Sequence, residues 1–228
     1  MIAQNFEYKV ATSLGEAVSL LQKYGDRAKL LAGGHSLIPM MKLRLAAPEI
    51  LIDIGRLSEL SYVNEDNGGL RIGALTTHQI IETSAAVQKH CRALSEAAAK
   101  IGDIQVRNKG TIGGSVAHAD PAADYPASLL AFDATILVIG PKGERTIPAS
   151  QFFVDMLTTS LQPGEIVREI RIAARSGRTG SAYLKMEQKA SGFAICGAAA
   201  VMQLDAAGAI ASAGVGITGV ANRAFRAA

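Results

Sequence analysis

The sequence predicts an α+β fold in which short strands first alternate with helices and then pair antiparallel. Three observations carry this reading. A capping box opens an amphipathic helix near the start of the chain, Asn67-Gly68-Gly69 is a hairpin signal between two apolar runs, and residues 165–172 alternate with period two. With 228 residues, at roughly 100–200 per domain, the chain holds one large domain or two small ones.

Ser13 followed by Glu16 makes the capping box, and Leu14, Ala17, Val18 and Leu21 then share one face until Gly25, so a helix is expected over 13–24. Residues 29–32, bounded by Gly33-Gly34, and 50–54, bounded by Pro48 and Gly55, read as strands, with a short helix at 37–44 between them. Residues 1–55 thus form a small unit of two strands and two helices. The hairpin then joins strands at 61–63 and 70–72. Thr76 with Gln79 is expected to cap a second helix, and Leu94, Ala97, Ala98 and Ile101 give helical spacing over 91–101. A buried strand at 134–139 turns through Gly140-Pro141-Lys142-Gly143 into 145–147, and 165–172 places Ile166, Arg168, Ile170 and Ile172 on one face. The polar run Arg175-Ser176-Gly177-Arg178-Thr179-Gly180 reads as a linker, so a boundary falls near 176. Strands follow at 182–187, 196–204 and 209–217, the last two joined by a turn at Asp205-Ala206-Ala207-Gly208, and the apolar stretch 194–201 is read as buried strand.

Composition excludes several function classes. Hydrophobic residues are 49% and charged residues 19%, against a usual charged share of about 25%, which excludes a disordered chain. The net charge of +3 is spread without a basic run, and there is no Trp, so nucleic acid is not expected as a partner. Cys91 and Cys196 form no CxxC pair and are too few for an iron–sulfur cluster, which needs four thiolates. No window of 18 apolar residues predicts a membrane span, and Met1 to Glu7 lacks a basic segment followed by an apolar one, so the chain is expected in the cytoplasm. His35, His78, His90 and His118 form no metal-ligand spacing, and no residue reads as a proton-transfer catalyst. Lys109-Gly110-Thr111 reverses the order that a phosphate-binding P-loop needs. A literal G-x-G-x-x-G at Gly214, Gly216 and Gly219 is discounted. The dinucleotide fingerprint needs a following helix and an acidic residue about 20 positions on, and the nine residues after Gly219 hold no acidic residue.

Glycine is enriched, at 23 residues, and two glycine pairs stand out. The first lies in Leu31-Ala32-Gly33-Gly34-His35-Ser36-Leu37, between a strand and a helix. The second lies in Gly110-Thr111-Ile112-Gly113-Gly114-Ser115, which is followed by Asp120-Pro121-Ala122-Ala123-Asp124. Adjacent glycines let main-chain N–H groups approach an anion without a Cβ in the way. With hydroxyls from Ser36, Thr111 and Ser115, two such loops facing one another can clamp a pyrophosphate without a lysine point charge.

These segments, Ala32-Gly33-Gly34-His35-Ser36-Leu37-Ile38-Pro39, Thr111-Ile112-Gly113-Gly114-Ser115 and Asp120-Pro121-Ala122-Ala123-Asp124-Tyr125-Pro126-Ala127, resemble the FAD-binding medium subunits of molybdenum hydroxylases of the carbon monoxide dehydrogenase type. The xanthine dehydrogenase flavin domain is a more distant relative. The resemblance implies a vanillyl-alcohol-oxidase (PCMH-type) FAD-binding fold at 1–176, with subdomains at about 1–55 and 56–176, and a shortened C-terminal domain of the flavoprotein subunit at 177–228. It implies that Ala32, Gly33, Gly34, His35, Ser36 and Leu37, together with Thr111, Ile112, Gly113, Gly114 and Ser115, hold the FAD pyrophosphate. Asp124 is implied to accept from a ribityl hydroxyl, Lys185 to belong to the flavin site, and Ile101 and Val167 to make apolar or main-chain contacts with the cofactor. Phe193 stands where relatives often carry Tyr, which keeps an aromatic face and drops a hydroxyl.

The same resemblance implies the partners: a molybdopterin-containing large subunit and a small [2Fe–2S] subunit, assembled as a dimer of heterotrimers, with electrons passing through the clusters to FAD and on to an external acceptor. An alternative expectation is a truncated or flavin-poor interaction subunit of such a complex.

Overall fold

The computed structural model describes residues 2–175 and 177–227. Its first unit is β1 (Glu7–Val10), α1 (Leu14–Tyr24), β2 (Ala28–Leu31), α2 (Leu37–Lys42) and β3 (Ile50–Asp53), with the strands in a parallel sheet of order β1-β3-β2. Ser13 caps the helix as expected, and the return bond of the box falls one residue earlier, on Thr12. Ser13 Oγ accepts the Glu16 N–H at 3.1 Å, while the Glu16 carboxylate reaches back to the Thr12 N–H at 2.7 Å. Leu14, Ala17 and Val18 bury the inner face of α1 in a core shared with Ile50 and Ile52 of β3.

The second unit opens with β4 (Val63–Asp66), β5 (Gly69–Gly73), α3 (His78–Thr83), α4 (Ala85–His90), α5 (Arg92–Ala99), α6 (Ile104–Arg107), α7 (Ile112–His118) and α8 (Tyr125–Ala131). It closes with β6 (Thr135–Gly140), β7 (Gly143–Pro148), α9 (Ala149–Phe152), β8 (Phe153–Asp155), β9 (Thr158–Thr159) and β10 (Ile166–Ile172). Its five-stranded sheet has the order β4-β5-β10-β6-β7, every pair antiparallel, and carries the larger core on one face.

Four expectations shift here. The hairpin forms around Asn67-Gly68, but its first strand is β4 at Val63–Asp66 and not 61–63. The cap of the second helix is Thr77, whose hydroxyl accepts from Ile80 N–H. Thr76 is buried instead, bonded through Oγ1 to both backbone groups of Tyr62. The helix expected over 91–101 runs only over Arg92–Ala99. In β10 a bulge between Val167 and Glu169 breaks the period of two, so Ile166 faces the core of the first unit while Val167, Ile170 and Ile172 face the larger core.

The remaining strands, β11 (Arg178–Glu187), β12 (Ala194–Leu204), β13 (Ile210–Thr218) and β14 (Phe225–Arg226), form an antiparallel sheet in sequence order. Arg178 to Gly180 therefore belong to a strand and not to the expected linker; Ser176 lies outside the described residues. Inward-facing Tyr183, Ala199 and Val201 enter the same core as α5 and α8. The discounted glycines acquire a packing reason: a Cβ on Gly214 or Gly216 would collide with the carbonyl of Ala131 or Ala127, so their absence of side chain lets β13 lie directly on α8. On the opposite face Leu184, Met186 and Met202 are exposed. Among the described residues no helix is long and apolar enough to cross a membrane.

Candidate flavin site

The two glycine segments, about 75 positions apart in the chain, meet. A Cβ on Gly33 would collide with the Lys109 carbonyl oxygen and stand 2.7 Å from Gly110 Cα, so only glycine lets the first segment lie against the second. Gly34 is in the left-handed region, with φ at +77°, and turns the chain from β2 into α2. Among the described residues, no backbone N–H from Gly33 to Leu37 donates to a protein acceptor. His35 is exposed, and Ala32, Ser36 and Leu37 are half-buried around this row of donors.

The second segment is built differently from the loop that the sequence suggests. Thr111 caps α7, its hydroxyl accepting the Gly114 N–H at 3.2 Å, and Ile112 and Gly113 donate to the carbonyls of Thr76 and Ala74 at 3.0 and 2.8 Å. Ser115 N–H goes to Thr111 O, so these main-chain donors are engaged. Gly113 serves close packing, since a Cβ there would sit 2.7 Å from the Ala74 carbonyl. Ala74 N–H in turn donates to Arg168 O, so β10 and its neighbouring Val167 brace α7 from behind. Val167 itself is 5% exposed, with its side chain in the core.

Beyond α7, Asp124 stands at the N-cap position of α8 without capping it. Its carboxylate accepts from the Tyr183 hydroxyl at 2.6 Å and pairs with Lys185 Nζ at 3.0 Å. Lys185 is no solvated strand residue: its side chain is 1% exposed, and Nζ also donates to the carbonyls of Lys100 and Gly192 at 2.7 Å each. Burial pushes the Asp124 carboxyl above its ordinary range, although Tyr183 and Lys185 pull it back down. Burial, the Asp124 charge and their shared hydrogen bond push the Tyr183 hydroxyl up. Ile101 follows Lys100, whose carbonyl accepts from Lys185 Nζ, and packs against the larger core. Phe193, 52% exposed, ends the β11–β12 connection next to Gly192.

The sequence reasoning missed Tyr183, although it shares a strand face with Lys185 two positions on, the spacing at which side chains point the same way. It also left His78 without a role. His78 is 5% exposed, Nδ1 lies 2.9 Å from the Tyr125 hydroxyl, and burial, with help from His35 and Arg107, lowers its pKa to about 4.

A Cβ-free contact between two glycine segments, an open row of main-chain donors and a buried carboxylate–ammonium pair beyond them define a domain built for a nucleotide cofactor. Over residues 4–174 the chain matches the family model described as the FAD binding domain in molybdopterin dehydrogenase. It is 45% identical over 226 residues to the carbon monoxide dehydrogenase medium chain of Hydrogenophaga pseudoflava, covering 99% of this chain and 78% of that one. The solved structure of the Hydrogenophaga pseudoflava carbon monoxide dehydrogenase that lacks the Mo-pyranopterin moiety superposes with a TM-score of 0.95 at 46% identity, over 99% of this chain and 78% of that one. The xanthine dehydrogenase FAD-binding subunit of Escherichia coli O157:H7 is 33% identical, over 87% of this chain and 68% of that one. The chain belongs to the FAD-binding medium subunits of the molybdenum hydroxylases, a family of oxidoreductases, and FAD is its cofactor.

Proposed function

We propose that the chain carries electrons between the [2Fe–2S] clusters of a small partner subunit and an external acceptor, within a complex whose molybdopterin-containing large subunit oxidises the substrate. The complex is a cytoplasmic dimer of heterotrimers, in which residues 1–176 form the flavin-binding domain and 177–228 part of a C-terminal domain. The observation that carries this reading is the seating of Gly33 on Lys109 and Gly110 beside the unpaired N–H groups of Gly33 to Leu37.

Those donors suit a pyrophosphate: successive N–H groups from Gly33 to Leu37 have no acceptor among the described residues, so an anion that takes them up displaces no protein hydrogen bond. Gly33, Gly34, His35 and Ser36 bind it, with Ala32 and Leu37 bounding the turn. Thr111, Ile112, Gly113, Gly114 and Ser115 supply the opposing wall, and the Ser115 hydroxyl adds a donor. Asp124 keeps lone-pair capacity beyond Tyr183 and Lys185, because an ionised carboxylate has about four acceptor sites, and takes a ribityl hydroxyl there. Lys185 fixes that carboxylate, while Ile101, Val167 and Phe193 shape the apolar surroundings. When bound, FAD supplies the redox chemistry; the protein holds and orients it.

Titrating the FAD-free chain with FAD and following the flavin fluorescence tests this reading. Gly34→Val puts a β-branched side chain at a left-handed φ, which is expected to weaken binding roughly tenfold or more. Wild-type affinity in that variant overturns the assignment of the first segment.

A further inference from the structure

His78 is the first residue of α3, and it touches the site twice. Its N–H donates to Gly110 O at 3.0 Å, and its ring lies against Gly110 so closely that a Cβ there would stand 2.5 Å from Nε2. On the ring's other side Nδ1 meets the hydroxyl of Tyr125, the residue after Asp124, at 2.9 Å. Gly33, Gly110, the His78 imidazole and Tyr125 therefore form successive layers that run from the open donors of the first segment to the start of α8.

The tautomer follows from hydrogen-bond accounting. Tyr125 is fully buried, and among the described residues its hydroxyl has His78 Nδ1 as its one partner. A phenolic proton left without an acceptor in the core costs about 1–3 kcal/mol, so Tyr125 donates and Nδ1 accepts. The ring proton then sits on Nε2, on the side of Gly110.

We propose that His78 is the positioning residue of the flavin site: its Nε2–H tautomer, fixed by Tyr125, sets the spacing between the 110–115 segment and Asp124, and thereby the affinity for FAD. This rests on the reading that the glycine segments hold the pyrophosphate and Asp124 the ribityl chain. The layers explain why the distance matters. A cofactor that binds at both ends must match it, and a soft layer between the ends lets the two half-sites drift apart.

The test is FAD titration of the FAD-free 228-residue chain by flavin fluorescence, together with thermal unfolding without FAD. His78→Ala removes the wedge and the acceptor and is expected to weaken FAD binding roughly tenfold to a hundredfold. Tyr125→Phe keeps the ring and removes only the hydroxyl, with an expected weakening of roughly fivefold or more. His78→Asn places an amide oxygen near the position of Nδ1 and is expected to recover most of the loss, whereas His78→Gln is not. A lowered unfolding temperature with wild-type FAD affinity in both His78→Ala and Tyr125→Phe means a merely structural role and overturns the proposal. Where His78→Ala does not fold, Tyr125→Phe decides alone. Gly34→Val separates the two levels. If it too keeps wild-type affinity, the reading of the glycine segments has failed; if it loses FAD while the His78 and Tyr125 variants keep it, only the role of His78 has failed.

Discussion

Replacing Lys185 by Met tests the buried pair at the far end of the site. The side chains of Lys185 and Asp124 are 1% and 8% exposed, so neither charge has water to fall back on. Met is close to the length of the lysine stem, fills the space and removes the ammonium. The Asp124 carboxylate then keeps Tyr183 as its side-chain donor among the described residues, and the carbonyls of Lys100 and Gly192 lose theirs. Removing one partner of a buried pair typically costs about 3–5 kcal/mol. At roughly 2–4 °C per kcal/mol for a chain of this size, the unfolding temperature should fall by roughly 6–20 °C. The pH dependence gives a second signature. Asp124 is already pushed up by burial with Lys185 present, and without it the folded-state pKa rises further. A carboxyl with a raised folded pKa costs stability above that pKa and recovers it once protonated, so the deficit of Lys185→Met should shrink as pH falls from neutral toward the ordinary carboxylate range. Adding Asp124→Asn removes the orphaned charge and should restore part of the stability. Circular dichroism melts of the FAD-free chain at several pH values read all three effects. A shift below about 1 kcal/mol that does not change with pH would refute the reasoning.

Three further outcomes are expected. Because His78 is held neutral to about pH 4 while an unfolded imidazole titrates near 6.5, the unfolded chain binds the proton first; the His78 contribution to stability is flat above pH 6.5 and falls by about 3 kcal/mol on the way down to pH 4. Urea unfolding of wild type against His78→Asn isolates this slope, and equal slopes would contradict it. Burial pushes the Cys91 thiol up to about 12, while Cys196 is half-buried on the C-terminal sheet, so iodoacetamide should modify Cys196 well before Cys91 in the native chain, as peptide mass mapping will read. Gly216→Ala drives a Cβ into the Ala127 carbonyl and should cost about 1–3 kcal/mol of overpacking; an unchanged unfolding temperature would mean that β13 can lift from α8 without penalty.

What was legible in the sequence follows the length of the pattern. Helix α1 could be read from Ser13, Glu16 and Gly25 because eleven residues repeat one face, and β6, β12 and β13 because their apolar runs are bounded by turn residues. Helices α4, α6, α7 and α9 are four to seven residues long, fewer than two turns each, and leave no periodicity to detect. The bulge in β10 defeated the period-two reading because one extra residue reverses which side chains face the core, and nothing in 165–172 marks it. At the site, the glycine segments were visible as residue types, but their contact was not. Asp124 and Lys185 were each tied to the flavin site by resemblance alone, and their pairing across 61 positions was not read at all, since a lysine in a strand reads as solvated until its partner is known.

The glycines show most directly why residue types alone do not define a site. Gly33-Gly34 and the pair Gly214 and Gly216 stand out equally as sequence, and the second pair with Gly219 even spells a literal G-x-G-x-x-G. In the fold each lets two backbones touch: Gly33 lies on Lys109 and Gly110, while Gly214 and Gly216 lie on the carbonyls of Ala131 and Ala127. The surroundings separate them. Gly214 and Gly216 belong to β13, whose backbone is committed to the ladder with β12, and the helix beneath offers them carbonyl oxygens, which repel an anion. Gly33 begins a turn in which successive N–H groups have no acceptor among the described residues, so the partial positive charge of these donors is left free to meet an anion. Close approach is thus common to both places, and binding capacity belongs to the one whose donors the fold leaves unspent.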